Sequence, residues 1–268
     1  MDAISNRPLA VVTGASSGIG RELAAQFAAH DFNLVIAAED SDIETVAMGI
    51  RDAGTTVDAV QVDLASDGGV DELYARIEAT GRPVDALALN AGVGAGGAFA
   101  TDTDLAGELR LIDLNVRSTV HLAKHVVADM VARGEGRILF TSSIASTMPG
   151  SFQAVYNASK SFVQSFAIAL REELKDTGVT VTSLMPGPTD TDFFARARML
   201  DTRIGRSKSK DDPADVARDG FEALMNGDER VVSASLSTKL QGHGSRLMPD
   251  RLKAKLHRGM AEPGKGRD

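Results

Sequence analysis

The sequence predicts an α/β fold, a doubly wound parallel sheet of about seven strands with helices on both faces, and three observations carry that prediction. Short apolar, β-branched runs alternate along the chain with stretches whose apolar residues recur at helical spacing, the pattern of parallel strands joined by crossover helices. The first run, Leu9-Ala10-Val11-Val12-Thr13, passes through the glycine cluster Gly14-Ala15-Ser16-Ser17-Gly18-Ile19-Gly20 into a segment where Leu23, Ala24, Phe27 and Ala28 share a helical face. A length of 268 residues with 43% hydrophobic residues suits one doubly wound unit with a sizeable core.

In chain order, strands are expected near residues 9–13, 33–37, 57–62, 85–90, 136–142, 179–185 and 230–233, with helices between them. A long helix is expected near 104–132 and another near 153–175. Neither internal repeats nor low-complexity segments interrupt the pattern, so a single domain is expected over 1–268, with a basic carboxyl-terminal extension from about residue 239. From Lys239 onward stand eight basic residues against three acidic ones, and Leu247, Leu252 and Leu256 suggest short helices that pack on the body or on a neighbouring subunit.

Composition excludes several classes of function. The formal net charge of -8 argues against nucleic acid as a partner, which requires a basic footprint. The chain has no cysteine, so disulfides, thiolate catalysis and cysteine-bound metals are excluded. The polar stretch Met1 to Pro8 has no signal-peptide character and no run approaches the ~20 apolar residues of a membrane span, so no membrane association is expected and a cytoplasmic location is the default.

The chemistry is read first from Tyr156 and Lys160. Four-residue spacing stacks a phenol and an ammonium on one helix face. A cation there favours tyrosinate, at ~1.4 kcal/mol per unit by which the phenol is lowered from about 10. An amphipathic helix also pairs an aromatic with a lysine stem merely to cover core. The other tyrosine, Tyr74, with Glu78 four residues on, has no companion motif and reads as ordinary packing. Three signals accompany Tyr156. The glycine cluster lets backbone approach a diphosphate at a helix start, where free N–H groups favour an anion. Leu87-Ala88-Leu89 runs into Asn90-Ala91-Gly92, and Ile138-Leu139-Phe140-Thr141 runs into Ser142-Ser143, so both strands deliver polar residues to the carboxyl end of the sheet, where ligands bind.

Together these residues resemble the short-chain dehydrogenase/reductase family. The match runs in order through Thr13 to Gly20, Asp63, Asn90-Ala91-Gly92, Asn115, Ser143, Tyr156-x-x-x-Lys160 and Pro186-Gly187, spanning about residues 7 to 235. The resemblance implies a Rossmann-type sheet of order 3-2-1-4-5-6-7 and an oxidoreductase that transfers hydride between a nicotinamide cofactor and a carbonyl or secondary alcohol. It implies a catalytic set of Asn115, Ser143, Tyr156 and Lys160. Tyr156 would exchange the proton, Ser143 would hold the substrate oxygen, Lys160 would bind the nicotinamide ribose and depress the Tyr156 pKa, and Asn115 would serve a water-linked relay to Lys160. Cofactor contacts implied are Gly14, Ser16, Ser17, Gly18, Ile19, Gly20, Glu39, Asp63, Leu64, Asn90, Ala91, Gly92, Tyr156, Lys160, Pro186, Gly187, Thr189 and Thr191. A homodimer or homotetramer is also implied.

Glu39 and Asp40 follow the second strand, where the family reads the adenosine ribose. Repulsion of a 2′-phosphate favours NAD, although Ala38 stands where NAD users usually carry Asp and Arg21 could reach a phosphate, which leaves NADP open. Pocket positions implied by the family are Val93 to Phe99, Ile144, Ala145, Met148, Phe152, Phe193, Phe194, Met199 and Leu200. Their apolar character suggests a small or medium hydrophobic substrate beneath a lid at 188–212, while Arg196 and Arg198 leave an acidic group or acyl thioester open. His121 and His125 have metal-pair spacing, but no glutamate motif or third ligand is apparent in the sequence, so no metal is expected and packing at an oligomer interface is. A cofactor-sensing binder without turnover and a scaffold subunit are the other readings, and a complete catalytic set argues against both.

Overall fold

The computed structural model describes residues 7–233 and 248–267. Seven parallel strands form one sheet in the order β3-β2-β1-β4-β5-β6-β7. They are β1 (Leu9–Thr13), β2 (Asn33–Ala38), β3 (Val57–Gln61), β4 (Ala86–Leu89), β5 (Gly136–Thr141), β6 (Val179–Pro186) and β7 (Arg230–Ser233). The fold class and strand order are as the sequence predicts, with ends shifted by a residue or so.

The helices are α1 (Gly18–Ala29), α2 (Asp42–Asp52), α3 (Gly69–Ala79), α4 (Leu105–Ile112), α5 (Ser118–Arg133), α6 (Ala154–Glu173), α7 (Phe193–Arg196), α8 (Pro213–Asn226) and α9 (Asp250–Ala261). Because successive strand residues face opposite ways, the sheet feeds two cores. Val11, Val35, Leu87, Ile138 and Val181 meet Leu73 of α3, Leu122 and Val126 of α5, and Val163 of α6. Val12, Ile36, Ala88, Leu139 and Leu184 meet Leu23 and Phe27 of α1 and Phe221 and Leu224 of α8. Each Val, Leu, Ile or Phe among these contributes roughly 1.5–3 kcal/mol by leaving water, so both helical layers are held by strand side chains.

The helix expected over 104–132 is interrupted. A π turn at Asp113–Arg117 separates α4 from α5. Its cause is tertiary: the buried Asn115 side chain accepts from Val93 N–H at 2.9 Å and donates to Val93 C=O at 2.9 Å, which draws this turn toward the loop after β4.

Part of the basic carboxyl-terminal stretch, including Lys239, Arg246 and Leu247, lies outside the described residues. The rest forms α9, which packs on the segment after β6. Ala261 joins Phe194, Ala197 and Met199 in a third small core, and the buried His257 ring bonds Ser151 C=O through Nδ1 at 2.9 Å. Leu252 and Leu256 are exposed. Among the described residues, no helix is long and apolar enough to cross a membrane.

Candidate active site

The carboxyl ends of the central strands open onto a cavity of about 510 Å³. At one end β1 delivers the glycine loop. Gly14 has φ +69°, and a Cβ on Gly20 would lie 2.1 Å from the Gly14 carbonyl oxygen, so only glycine lets this turn close against the start of α1. Ser17 caps α1 without a side-chain hydrogen bond, and the first turn carries no acidic residue. The opening N–H groups and the positive end of the helix are thus left for an anion. Thr13 couples this loop to β4: its Oγ1 accepts from the N–H groups of Asn90 and Ala91, both at 3.0 Å, while Asn90 Nδ2 donates to Thr13 C=O at 3.2 Å. Thr141 Oγ1 donates to Asn90 Oδ1 at 3.1 Å, which extends the chain of bonds to β5.

Further along the same cavity stand Ser143, Tyr156 and Lys160, all buried. β5 ends at Thr141, and Ser143 opens the 3₁₀ turn Ile144–Thr147, where its Oγ accepts from Ala145 N–H at 3.1 Å. Tyr156 and Lys160 lie one turn apart near the start of α6. Lys160 Nζ donates to Thr141 C=O at 2.9 Å, and Ser142 Oγ donates to Lys160 C=O at 3.0 Å, which fixes α6 on β5. A Cβ on Gly92 would lie 3.1 Å from Asn115 Oδ1 and 3.2 Å from Lys160 Nζ.

Here the expected electrostatics need correction. Burial pushes the Tyr156 phenol up to about 12, with only the hydrogen bond from Ser143 opposing it, and burial brings the Lys160 ammonium down to about 8. Desolvation penalises both charged forms, and Lys160 directs its ammonium at a backbone carbonyl rather than stabilising a phenolate. Among the protein's own groups, then, Tyr156 is held as a neutral phenol.

Every cofactor-contact and catalytic residue expected from the sequence lines this cavity except Asn115. Asn115 stands behind the wall, donating to Ser159 Oγ at 3.0 Å as well as holding Val93. The expected pocket positions divide. Val93, Gly94, Ile144, Ala145, Met148, Phe193 and Phe194 line the cavity, whereas Met199 and Phe152 pack in the third core instead and Phe99 and Leu200 are exposed. The segment after β6 contributes Phe193, Phe194 and Arg196 to the cavity lining, with the Phe193 ring 5.3 Å from that of Tyr156 and Gly96 N–H donating to Ala197 C=O at 3.0 Å. His257 and Met260 of α9 also line the cavity, and sequence reasoning missed both.

Sequence reasoning also missed Arg110. Its guanidinium bridges Asp63 Oδ2 at 2.8 Å and Glu39 Oε2 at 2.5 Å, joining the two acids at the β2 and β3 end of the cavity. That hydrogen bond holds the Asp63 carboxyl below the usual carboxylate range. Arg196, a cavity-lining residue of α7, stands 3.7 Å from Asp40. Arg21 pairs with its neighbour Glu22 at 2.9 Å and does not line the cavity.

A glycine-lined helix start, acids at the far strand ends and a buried phenol beside a lysine fit a dinucleotide laid across the sheet. The comparisons agree. Residues 8–200 match the short chain dehydrogenase family. Oxidoreductase UcpA of Salmonella typhimurium is 31% identical over 220 residues, covering 80% of this chain and 79% of its own. Among solved structures, a short-chain dehydrogenase from Sphingobium yanoikuyae in complex with NADPH has a TM-score of 0.79 at 27% identity, covering 89% of this chain and 93% of its own. A short-chain dehydrogenase/reductase from Burkholderia phymatum in complex with NAD has a TM-score of 0.77 at 25% identity, covering 91% and 94%. Sheet order, cavity and sequence thus converge: the chain belongs to the short chain dehydrogenase family and is a nicotinamide-dependent oxidoreductase that interconverts a carbonyl and an alcohol.

Proposed function

We propose that this enzyme reduces small or medium apolar ketones, or oxidises the matching secondary alcohols, with NAD(H) as the preferred carrier and Tyr156 as the proton-exchanging residue. The observation that carries the reading is that Tyr156, Ser143 and Lys160 share one wall of a cavity whose other end is the glycine loop. When bound, the nicotinamide supplies or accepts the hydride. Ser143 holds the substrate oxygen and stabilises the charge that develops there. Tyr156, kept neutral by burial, donates its proton to that oxygen in reduction and takes it back in oxidation. Lys160 would hold the nicotinamide ribose hydroxyls. Asn115 keeps the Val93 loop and the Tyr156 helix in register through Val93 and Ser159. Gly14, Ser16, Ser17, Gly18, Ile19 and Gly20 would cradle the diphosphate, with Asp63, Leu64, Asn90, Ala91 and Gly92 bounding the adenosine pocket. Pro186, Gly187, Thr189 and Thr191 would hold the carboxamide.

The carrier preference rests on charge. Glu39, Asp40 and Asp63 outnumber Arg110 and Arg196 at the adenosine end, and Arg21 is tied to Glu22, so a 2′-phosphate meets a net negative rim. Pairing of Arg196 with Asp40 likewise turns that cation toward the adenosine end, which supports an apolar substrate. A panel of aliphatic and aryl ketones, keto acids and acyl thioesters, each followed by NADH consumption, tests the class. Strong preference for a neutral ketone supports it, and preference for a carboxylate or thioester sinks it.

The whole chain serves as one catalytic domain in this reading, in the cytoplasm. It assembles as a homodimer or homotetramer through the exposed Leu105, Leu109 and Ile112 of α4 and Phe162 and Ile168 of α6. Light scattering coupled to size exclusion tests the assembly; a monomer at micromolar concentration contradicts it.

A further inference from the structure

His121 and His125, four residues apart on α5, have a third companion that the sequence did not reveal. Asp71 of α3 places Oδ1 3.2 Å from His121 Nε2 and 3.8 Å from His125 Nε2. The three donor atoms lie within 4.8 Å of one another. We propose that Asp71, His121 and His125 form a binding site for a divalent ion of the zinc class, distinct from the catalytic cavity, that ties α3 to α5.

Two imidazoles and a carboxylate are an established donor set for such ions, with bonds of about 2.0–2.1 Å. Tetrahedral ligands at that distance are about 3.4 Å apart, so the widest separation here would close by about 1.4 Å. The side chains can make that movement because all three are partly exposed, at 38% and 37% for the histidines and 63% for Asp71. With all three donors partly exposed, water can complete the coordination. A second layer orients the site: the Tyr74 ring stacks on His125 with centroids 4.4 Å apart, and the Tyr74 hydroxyl donates to Asp129 at 3.0 Å. Tyr74 is therefore more than packing. None of the three donors lines the catalytic cavity, so the ion's role is structural.

Tag-free protein, stripped with chelator, is titrated calorimetrically with zinc chloride and, separately, with magnesium chloride. The expected result is one zinc per chain and no magnesium binding. His121→Gln, His125→Gln and Asp71→Asn should each weaken zinc by at least about tenfold, because even outer-layer partners of metal sites contribute 10–100-fold. Ketone reduction should be unchanged in all three. Zinc should raise the melting temperature of the wild type but not of the doubly substituted His121→Gln, His125→Gln protein. Cobalt(II) in the unaltered protein gives a second readout that needs no variant, an intense visible band from a tetrahedral site with nitrogen ligands. No heat at millimolar zinc with no cobalt band, or zinc affinity unchanged in the double variant, would overturn the assignment and leave the three groups as an ion-paired cluster.

Discussion

Replacement of Glu39 by glutamine is the sharpest test of the charge argument at the adenosine end. A 2′-phosphate dianion about 5 Å from one carboxylate is repelled by about 1.7 kcal/mol at the dielectric of water, a factor of about 16 in affinity. Glu39→Gln removes that charge and also weakens one of the two ties on Arg110, which keeps its bond to Asp63 and gains freedom to meet the phosphate. Half the Glu39 side chain is exposed, so salt screens part of the effect. The ratio of NADPH to NADH dissociation constants, measured by nicotinamide fluorescence at moderate salt, should fall about tenfold. Arg110→Ala should move it the other way, because Glu39 and Asp63 then face the phosphate without their cation. A ratio that stays within twofold of wild type in Glu39→Gln would refute the reasoning.

Two other perturbations follow from the site. The Lys160 pKa is lowered to about 8 from 10.5, so the unfolded state binds more protons between those values. Stability contributed by Lys160 should therefore rise with pH from about 8 to 10.5, whereas that of Tyr156, raised from 10.0 to about 12, is complete below 10 and is lost as pH rises toward 12. The denaturant midpoint of wild type should gain on that of Lys160→Met as pH rises from about 8 to 10, because only wild type carries the titrating ammonium; a difference that does not change with pH contradicts the buried-cation account. Gly20→Ala should weaken NADH binding at least about tenfold and destabilise by about 1–3 kcal/mol, because its Cβ would meet the Gly14 carbonyl at 2.1 Å. Unchanged binding in a folded Gly20→Ala protein would show that the loop has room to move.

Much of the sheet was legible because a strand buried on both faces is a nearly continuous apolar run, as in Leu34-Val35-Ile36-Ala37-Ala38. The glycine loop and the Tyr156 and Lys160 pair were legible because their spacing is local. What escaped depends on contacts between distant residues. Arg110 is 47 residues from Asp63 and 71 from Glu39, and nothing on its own helix marks it. Asp71 meets His121 only because α3 packs on α5, and the π turn at Asn115 forms because its amide finds Val93. The phenol's pKa direction was misread for a related reason. Spacing places a cation nearby, but burial and the Thr141 carbonyl determine which way that cation acts.

The central claim is that Tyr156 carries the proton while the rest of the cavity holds the carrier. Its direct measurement is a paired one on Tyr156→Phe, single-turnover reduction of the best ketone together with NADH affinity. The account predicts a rate lower by about 10²–10⁴ or more, with the NADH dissociation constant within about twofold of wild type, since the substitution deletes the hydroxyl and leaves the ring. Retention of most of the reduction rate would contradict it and move the proton transfer to another group in the cavity.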